Sequence, residues 1–487
     1  MSATDEEEQH VYMFKTSMER AAEIPGLEGN PTAVLERADV RDGLPFLLGP
    51  DGTYDLQLNR FLRELGDWGV RSMASVEAYA RDLMLFCRFL HEHRGGRTIW
   101  EADQQDLLAY RRARRRTPGY EIAASTWNRF LAALDKWVAW ALYERLLSAE
   151  PFRLVEKTVR TPRGLAVVRT NALREVDEES GAVEFLPFED YLLWRDVGLR
   201  GLLPSGRPDP SWRGRHGERN SVFADLLVGT GVRLMEGSSL LVTELPAVVD
   251  GRRTGAVHLP SSITKRRRAR TVYASRRVLR GLHHYVEIER DELVRRKAAA
   301  GAYGSRSGLG VRSAGRHALV LADGKSRPYS RLDIEERRSL GHVGGSTPGA
   351  PLWLWLGEDG TPLTRSAWQA VFRAANERCA RFGLDVRAHP HALRHTFSVH
   401  MLGLLLRQTV RAMRRQPGET LMSEQVKRVL IGDPLRRLQM LLGHRNRETV
   451  FIYLDVLDEA QEIVLAALRE WDDESEALSR VRLEDAS

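Results

Sequence analysis

His389-Pro390-His391-Ala392-Leu393-Arg394-His395-Thr396-Phe397 sets an arginine among histidines at the start of an apolar helical run that continues through Val399, Met401 and Leu402. This is a poor way to build a core and a good way to hold a phosphate. Arg offers a rigid fork of donors matched to phosphate oxygens, and His donates, accepts or moves a proton near neutral pH. Leu442-Gly443-His444 and then Tyr453 follow some fifty residues later. A phosphate site with a tyrosine nearby points to attack on a phosphodiester, so the rest of the chain should supply more positive groups and a way of holding nucleic acid.

The composition agrees with that direction. The chain has 487 residues, 43% hydrophobic and 29% charged, enough for two to three domains with real cores. A net charge of +7 and a pI near 9.5 favour a polyanionic partner. Only seven of the 73 basic residues are lysines, which makes each lysine in an Arg-rich segment worth checking for a role arginine cannot fill. Two cysteines far apart, Cys87 and Cys379, support neither a disulfide framework nor a cysteine zinc site, and imply a reducing compartment. The acidic start (Met1 to Gln9) lacks an apolar leader, and no run of eighteen apolar residues occurs, so a cytoplasmic protein without a membrane span is expected.

Residues 1–55 mix acidic residues with Gly and Pro and read as an irregular arm. From Leu56 the texture turns helical: Leu58, Phe61, Leu62 and Leu65, then Ser75 as an N-cap before Val76, Tyr79, Leu83, Phe86 and Leu90. Helices over Asp103–Arg112 and Ser125–Leu147 complete a helical domain at 56–150. Trp127, Trp137 and Trp140 fall at helical spacing and read as core. Arg111, Arg112, Arg114, Arg115 and Arg116 between the last two helices leave two readings open, a solvated face or a phosphate contact. Residues 151–183 read as a linker in which Leu165 to Val168 can pair as a strand, followed by the acidic patch Glu175, Asp177, Glu178 and Glu179.

The second domain, 184–471, holds the candidate chemistry. An apolar helix ends at Gly229-Thr230-Gly231, and a new helix starts at about Arg233, which puts that side chain beside a helix N-terminus where phosphates bind. Pairing of Arg233 with Glu236 at i+3 is the plainer reading. Val257-His258-Leu259 and Ile263 to Tyr273 read as a β-hairpin with a basic turn carrying Lys265, Arg266, Arg267, Arg268 and Arg270. A lysine there can hand a proton to a leaving oxygen, which arginine cannot, although a solvated hairpin remains the alternative. Residues 298–350 read as an exposed insertion rich in Gly, Ser and Arg, Pro351 to Leu356 as a buried strand or turn, and Thr364 or Ser366 as the cap of a helix through Val371 and Phe372. Gly324-Lys325-Ser326 has Leu at 319 where a phosphate loop needs Gly, and Gly308-Leu309-Gly310 runs on to Ser313, so ATP and dinucleotide cofactors are excluded. His391 and His395 stand at i, i+4 as zinc ligands would, but Ala392 follows the first His and no third ligand is evident, so no metal and no cofactor are expected.

Arg233 within Thr-Gly-Val-Arg-Leu-Met-Glu, Lys265 on a hairpin, His391-Ala-Leu-Arg394-His395, Leu-Gly-His444 and Tyr453 nine positions later resemble, in order and spacing, the tyrosine recombinases, or phage integrase family. The resemblance covers roughly residues 56–470. It implies a mainly α fold with a small β-sheet and hairpin: a helical SAM-like core-binding domain and a mixed α/β catalytic domain forming a C-shaped clamp on double-stranded DNA. It implies that Arg233 and Arg394 hold the scissile phosphate, that Tyr453 attacks to give a 3′-phosphotyrosine, and that Lys265 protonates the departing 5′ oxygen. His391 would act as acid and base around the tyrosine, His444 would donate to the phosphate, and Glu236 and His395 would support them. The resemblance further implies site-specific recombination through a Holliday junction, in DNA integration or transposition, by a bacterial, nucleoid-associated homotetramer that takes accessory recombination proteins. A helix at Asp458–Trp471 would dock on a neighbouring subunit, ahead of an acidic tail, 472–487. Arg394 and His444 are fifty positions apart, wider than the family usually has, with a basic insertion at 407–434 between them. Two rivals use the same residues differently: a type IB topoisomerase, and a non-catalytic DNA-binding regulator on the same fold.

Overall fold

The computed structural model describes residues 10–23, 30–38, 40–70, 72–117, 121–161, 164–175, 183–265, 267–304, 308–345, 347–414, 434–443, 450 and 453. The acidic start before residue 10, the patch at 177–179, Arg266, residues 415–433 of the second insertion, His444, the expected helix at 458–471 and the tail at 472–487 lie outside these residues. The chain divides into two units, Met1–Gly181 and Ala182–Ser487. Helix dominates both, with short sheets between. No helix among the described residues is long and apolar enough to cross a membrane.

Four helices make the centre of the first unit: Leu56–Glu64, Met73–His93, Gln104–Arg115 and Ala124–Tyr143. Asp55 and Asp103 cap the first and third by accepting hydrogen bonds from backbone N–H groups of the first turn, which have no partner inside the helix. The second starts earlier than expected. Ser72, not Ser75, is its N-cap, because the Ser72 hydroxyl reaches the Ser75 N–H three residues on. Trp127, Trp137 and Trp140 are all fully buried, as their spacing implied. Each removes roughly 150–250 Å² from water, and together with Phe61, Leu83 and Phe86 they make the unit's core.

Two stretches, one read as an irregular arm and the other as a linker with one possible strand, are built into this unit. In the first, Tyr12–Lys15 pairs antiparallel with Pro45–Leu48, and Leu44 and Leu47 enter the core. The buried Asn59 amide donates to the Leu47 carbonyl at 2.9 Å and accepts from its N–H at 2.7 Å, fastening the strand to the first helix. The arm therefore has regular structure, which its Gly and Pro content hid. In the second, Leu154–Thr161 and Gly164–Asn171 form a long antiparallel hairpin. The chain after it is stitched to the Ala124–Tyr143 helix: Trp127 Nε1 donates to the Leu173 carbonyl at 2.9 Å, and Asn128 exchanges hydrogen bonds with the Glu175 backbone. The expected linker is part of the first unit at least to Glu175.

The second unit is organised around the Gly217–Thr230 helix, against which the Pro390–Arg414 helix packs. Phe223 stacks on Trp368 from the Arg365–Arg381 helix at 3.7 Å between ring centres, and Thr364 caps that helix. Pro351 to Leu356 is fully or nearly fully buried, and Trp355 Nε1 donates to the Gly237 carbonyl at 2.8 Å, seating the turn that carries Arg233. Residues 298–350 are not an exposed insertion. They contribute a four-stranded sheet, in spatial order Gly341–His342, Gly310–Ala314, Ala318–Leu321 and Ser326–Pro328, whose Leu319, together with Leu332 and Leu340, is fully buried. Arg337, also fully buried, ion-pairs with Glu244 and ties this region to the unit's centre. The apolar residues that do this are spaced too sparsely among Gly, Ser and Arg to give a periodic signal.

Candidate active site

Gly231 ends the Gly217–Thr230 helix in the left-handed conformation, φ +65°. A side chain there would be strained, and its Cβ would stand 2.3 Å from the Phe397 ring. Glycine thus lets the Pro390–Arg414 helix close on the turn, and the Gly231 carbonyl accepts from Arg394 Nη1. Arg394 Nη2 donates to the Leu442 carbonyl at 2.7 Å, at the end of the Pro434–Leu442 helix. The guanidinium is held between two chain segments far apart in sequence and is 1% exposed. Burial, reinforced by Arg233 and opposed by Glu236, pushes its pKa down to about 9, so it stays charged at neutral pH.

Arg233 is the N-cap residue of the short Leu234–Ser238 helix. Its N–H donates to Glu236 Oε2 at 2.8 Å and its Nη1 to Oε1 at 3.1 Å, while its side chain remains 30% exposed. The plainer reading of an Arg233–Glu236 pair is therefore real, and it coexists with an open guanidinium. Burial alone would raise the Glu236 carboxyl, but Arg270 and Arg233 outweigh it and hold the group below its ordinary range.

The expected hairpin is present: Thr254–Leu259 pairs antiparallel with Arg270–Ser275. Lys265 is exposed on its loop, and its charge is among those that depress the His391 imidazole, after burial, Arg394, His389 and Arg233. Arg267 and Arg268 are exposed. Arg270 is not a surface contact: its side chain is 12% exposed and donates to both Glu236 oxygens, at 2.8 and 2.6 Å. In the first unit, Arg111 and Arg115 are likewise committed, both ion-paired to Glu175. Arg112 and Arg116 are exposed, and Arg114 is partly buried. Sequence spacing marked all of these as basic but could not reveal which carboxylates would claim them.

Tyr453 lies 1% exposed in a separate apolar cluster with Phe397, Leu402, Leu438, Leu442 and Val450. Its hydroxyl is 3.1 Å from His395 Nδ1. His391, expected to serve the tyrosine, stands one helical turn back, with its ring centre 4.3 Å from that of His395. The partner of the hydroxyl is thus His395, a correction that the i, i+4 spacing foreshadowed only by putting both rings on one helix face. Burial, then the charges of His391, Arg394 and His389, push His395 down to about 4, so its imidazole is neutral at pH 7.

The depressed His395 pKa links stability to pH. Between about 4 and the ordinary 6.5 the unfolded chain binds a proton that the folded chain does not. The stabilisation is present above pH 6.5 and is lost as pH falls toward 4. The melting temperature should therefore drop across that window, and His395→Asn, which keeps an acceptor but cannot titrate, should flatten the drop. An unchanged pH dependence in calorimetry of the variant would refute the assignment.

The site thus gathers Arg233, Arg394, His391, His395 and Tyr453 around a turn and one helix, with Lys265 near and Glu236 buried among them. Positive charge predominates, which suits an anion with spread charge. The chain matches the model of the phage integrase N-terminal SAM-like domain over residues 58–145 and that of the phage integrase family over residues 211–404. The tyrosine recombinase XerD of Ralstonia nicotianae is 25% identical over 386 residues, 79% of this chain and 84% of that one. The tyrosine recombinase XerC of Roseiflexus castenholzii is 25% identical over 403 residues, 82% and 88% of the two chains. The crystal structure of XerH site-specific recombinase bound to difH substrate, a pre-cleavage complex, aligns over 92% of this chain and 93% of that one at 13% identity and a TM-score of 0.44, too low to weigh in the assignment. With both family models matched in order along one chain, this protein belongs to the tyrosine recombinase (phage integrase) family, enzymes that cut and rejoin DNA.

Proposed function

We propose that the protein is a site-specific recombinase that cleaves and rejoins duplex DNA through a 3′-phosphotyrosine intermediate and a Holliday junction, in DNA integration or transposition. The single observation that carries the mechanism is the Tyr453 hydroxyl on a neutral His395 in the field of Arg394 and Arg233. A tyrosine with a pKa near 10 is a weak nucleophile, and it needs a base in contact and positive charge at the phosphorus.

In the proposed step Tyr453 Oη forms a bond to phosphorus while the bond from phosphorus to the 5′ oxygen breaks. The tyrosine proton passes to His395, and His391 beside it relays or holds that proton. Lys265 protonates the departing 5′ oxygen, leaving a free 5′ hydroxyl that later reverses the reaction on a new partner strand. Arg233 and Arg394 stabilise the charge on the non-bridging oxygens, and His444 adds a hydrogen bond to the phosphate. The bond energy is conserved in the phosphotyrosine, so neither ATP nor a metal ion is needed. Because Tyr453 and Arg394 are each 1% exposed, a phosphate can be attacked only when this end of the chain opens. Opening would be coupled to the binding of duplex DNA, with Arg112, Arg116, Arg267 and Arg268 on phosphates. Assembly would be a homotetramer acting on bacterial chromosomal DNA in the cytoplasm, with accessory proteins setting direction.

The test is incubation of the full chain with a nicked suicide duplex carrying a candidate site; an SDS-resistant protein–DNA adduct is expected. Relaxation of supercoiled DNA without recombinant products would favour a topoisomerase instead. Complete absence of adduct on every candidate site would favour a non-catalytic regulator. Lys265→Ala should cleave about 10²–10⁴-fold more slowly, and a 5′-thio leaving group, which needs no proton, should restore the rate. Equal loss with both leaving groups would remove Lys265 from the general-acid role.

A further inference from the structure

Arg270 connects three parts of the site that the chain itself does not join. It is the first residue of the second hairpin strand, paired across to Leu259, and so stands at the base of the loop that carries Lys265. Its Nη1 and Nη2 donate to the two oxygens of Glu236, which simultaneously accept from the Arg233 N–H and Nη1. Its Nε donates to the Leu441 carbonyl at 3.3 Å, one residue before the carbonyl that holds Arg394. Gly443, at φ +66°, passes directly over it: a Cβ at that glycine would meet Arg270 Cδ at 3.1 Å.

The two bonds from Arg270 to Glu236 are short, at 2.8 and 2.6 Å, and enclosed, with Glu236 1% exposed; the bond to Leu441 is longer. A planar guanidinium that donates along two edges can hold a carboxylate and a carbonyl in one fixed relation, whereas a lysine ammonium cannot. Phosphate contact, the role its basic loop implied, would require breaking a buried pair and leaving Glu236 to the partly exposed Arg233 alone, which is costly.

We propose that Arg270 is a positioning residue for strand cleavage: through Glu236 it aims Arg233, through the hairpin it sets Lys265, and through the Leu441 carbonyl it fixes the segment that holds Arg394. This rests on the cleavage chemistry proposed above, and wild-type adduct formation is the control for that chemistry. Arg270 acts on DNA only through these neighbours.

The experiment compares Arg270→Gln and Arg270→Lys with wild type, all as full chains, in duplex binding across a salt series and in single-turnover cleavage of the suicide duplex with 5′-oxygen and 5′-thio leaving groups. Binding within about twofold of wild type with an unchanged salt slope is expected, because no phosphate contact is lost. Cleavage of the oxygen substrate should fall about 10²-fold for Arg270→Gln and about tenfold for Arg270→Lys, as for other groups that orient the residues in contact with substrate. The thio substrate should recover part of that loss, namely the share that runs through Lys265, whereas a general loosening of the fold would slow both substrates alike. Glu236→Gln combined with Arg270→Gln should be no worse than the poorer single variant, because the two act as a unit.

A salt slope reduced by about one with proportionally weaker binding would overturn the proposal in favour of phosphate contact. Cleavage within threefold of wild type would also overturn it, as would equal losses on both leaving groups while Lys265→Ala is rescued. If Arg270→Gln fails to fold, the same criteria apply to Arg270→Lys. Absence of an adduct with the wild-type chain would instead strike the cleavage chemistry itself.

Discussion

Tyr453→Phe is expected to bind duplex DNA as wild type does and to give no SDS-resistant adduct. The substitution removes a single oxygen from a ring that is 1% exposed among Phe397, Leu402, Leu438 and Leu442, so its shape is kept. The lost hydrogen bond to His395 costs about 1 kcal/mol of stability, too little to unfold a domain. Cleavage loses its nucleophile altogether, and neither His395 nor a water can form the stable phosphotyrosine that the assay detects. A persisting adduct would assign the nucleophile to another residue and detach His395 from the proton transfer. Because binding and chemistry are separated in one variant, a defect in folding cannot pass for a defect in attack.

Arg394→Lys should bind DNA within a few-fold of wild type yet cleave on the order of 10³-fold more slowly. Lysine keeps the charge, but its single ammonium cannot span the Gly231 and Leu442 carbonyls that Arg394 bridges, and it cannot offer parallel donors to two phosphate oxygens. One buried carbonyl would be left without a partner, at a cost of about 1–3 kcal/mol, so a lower melting temperature should accompany the loss of rate. Cleavage within tenfold of wild type would show that charge alone suffices at this position and that the fork geometry is incidental. The comparison with Arg270→Lys is informative here: the same chemical change should be milder where the guanidinium acts at one remove.

Local signals in the chain were legible where their physics is local. Helical spacing placed Trp127, Trp137 and Trp140 in a core, the Gly229–Gly231 run marked the turn before Arg233, and strand patterning found the hairpin that carries Lys265. Ser75 was a reasonable cap by composition, yet Ser72 won because capping depends on which hydroxyl reaches the third N–H of the helix. The strand Pro45–Leu48 and the sheet within residues 298–350 were hidden because they draw their stability from partners distant in sequence, such as the Asn59 amide and the buried Arg337–Glu244 pair.

The same division runs through the site. Residue types were enough to suggest a phosphate-handling set with a tyrosine, because guanidinium, imidazole, amine and phenol each bring an intrinsic chemistry, and the order of the motifs carried the resemblance to a recombinase family that the family models bear out. Which of them touch was decided only by the tertiary structure. Arg270 and Arg115 look alike as members of basic runs, but Glu236 and Glu175 fold against them and claim their guanidinium groups. His391 and His395 look interchangeable on one helix face, but only His395 lies under the Tyr453 hydroxyl. The reason is physical: the energy of an ion pair or hydrogen bond depends on distance and on exclusion of water, and both are set by how segments far apart in sequence pack together.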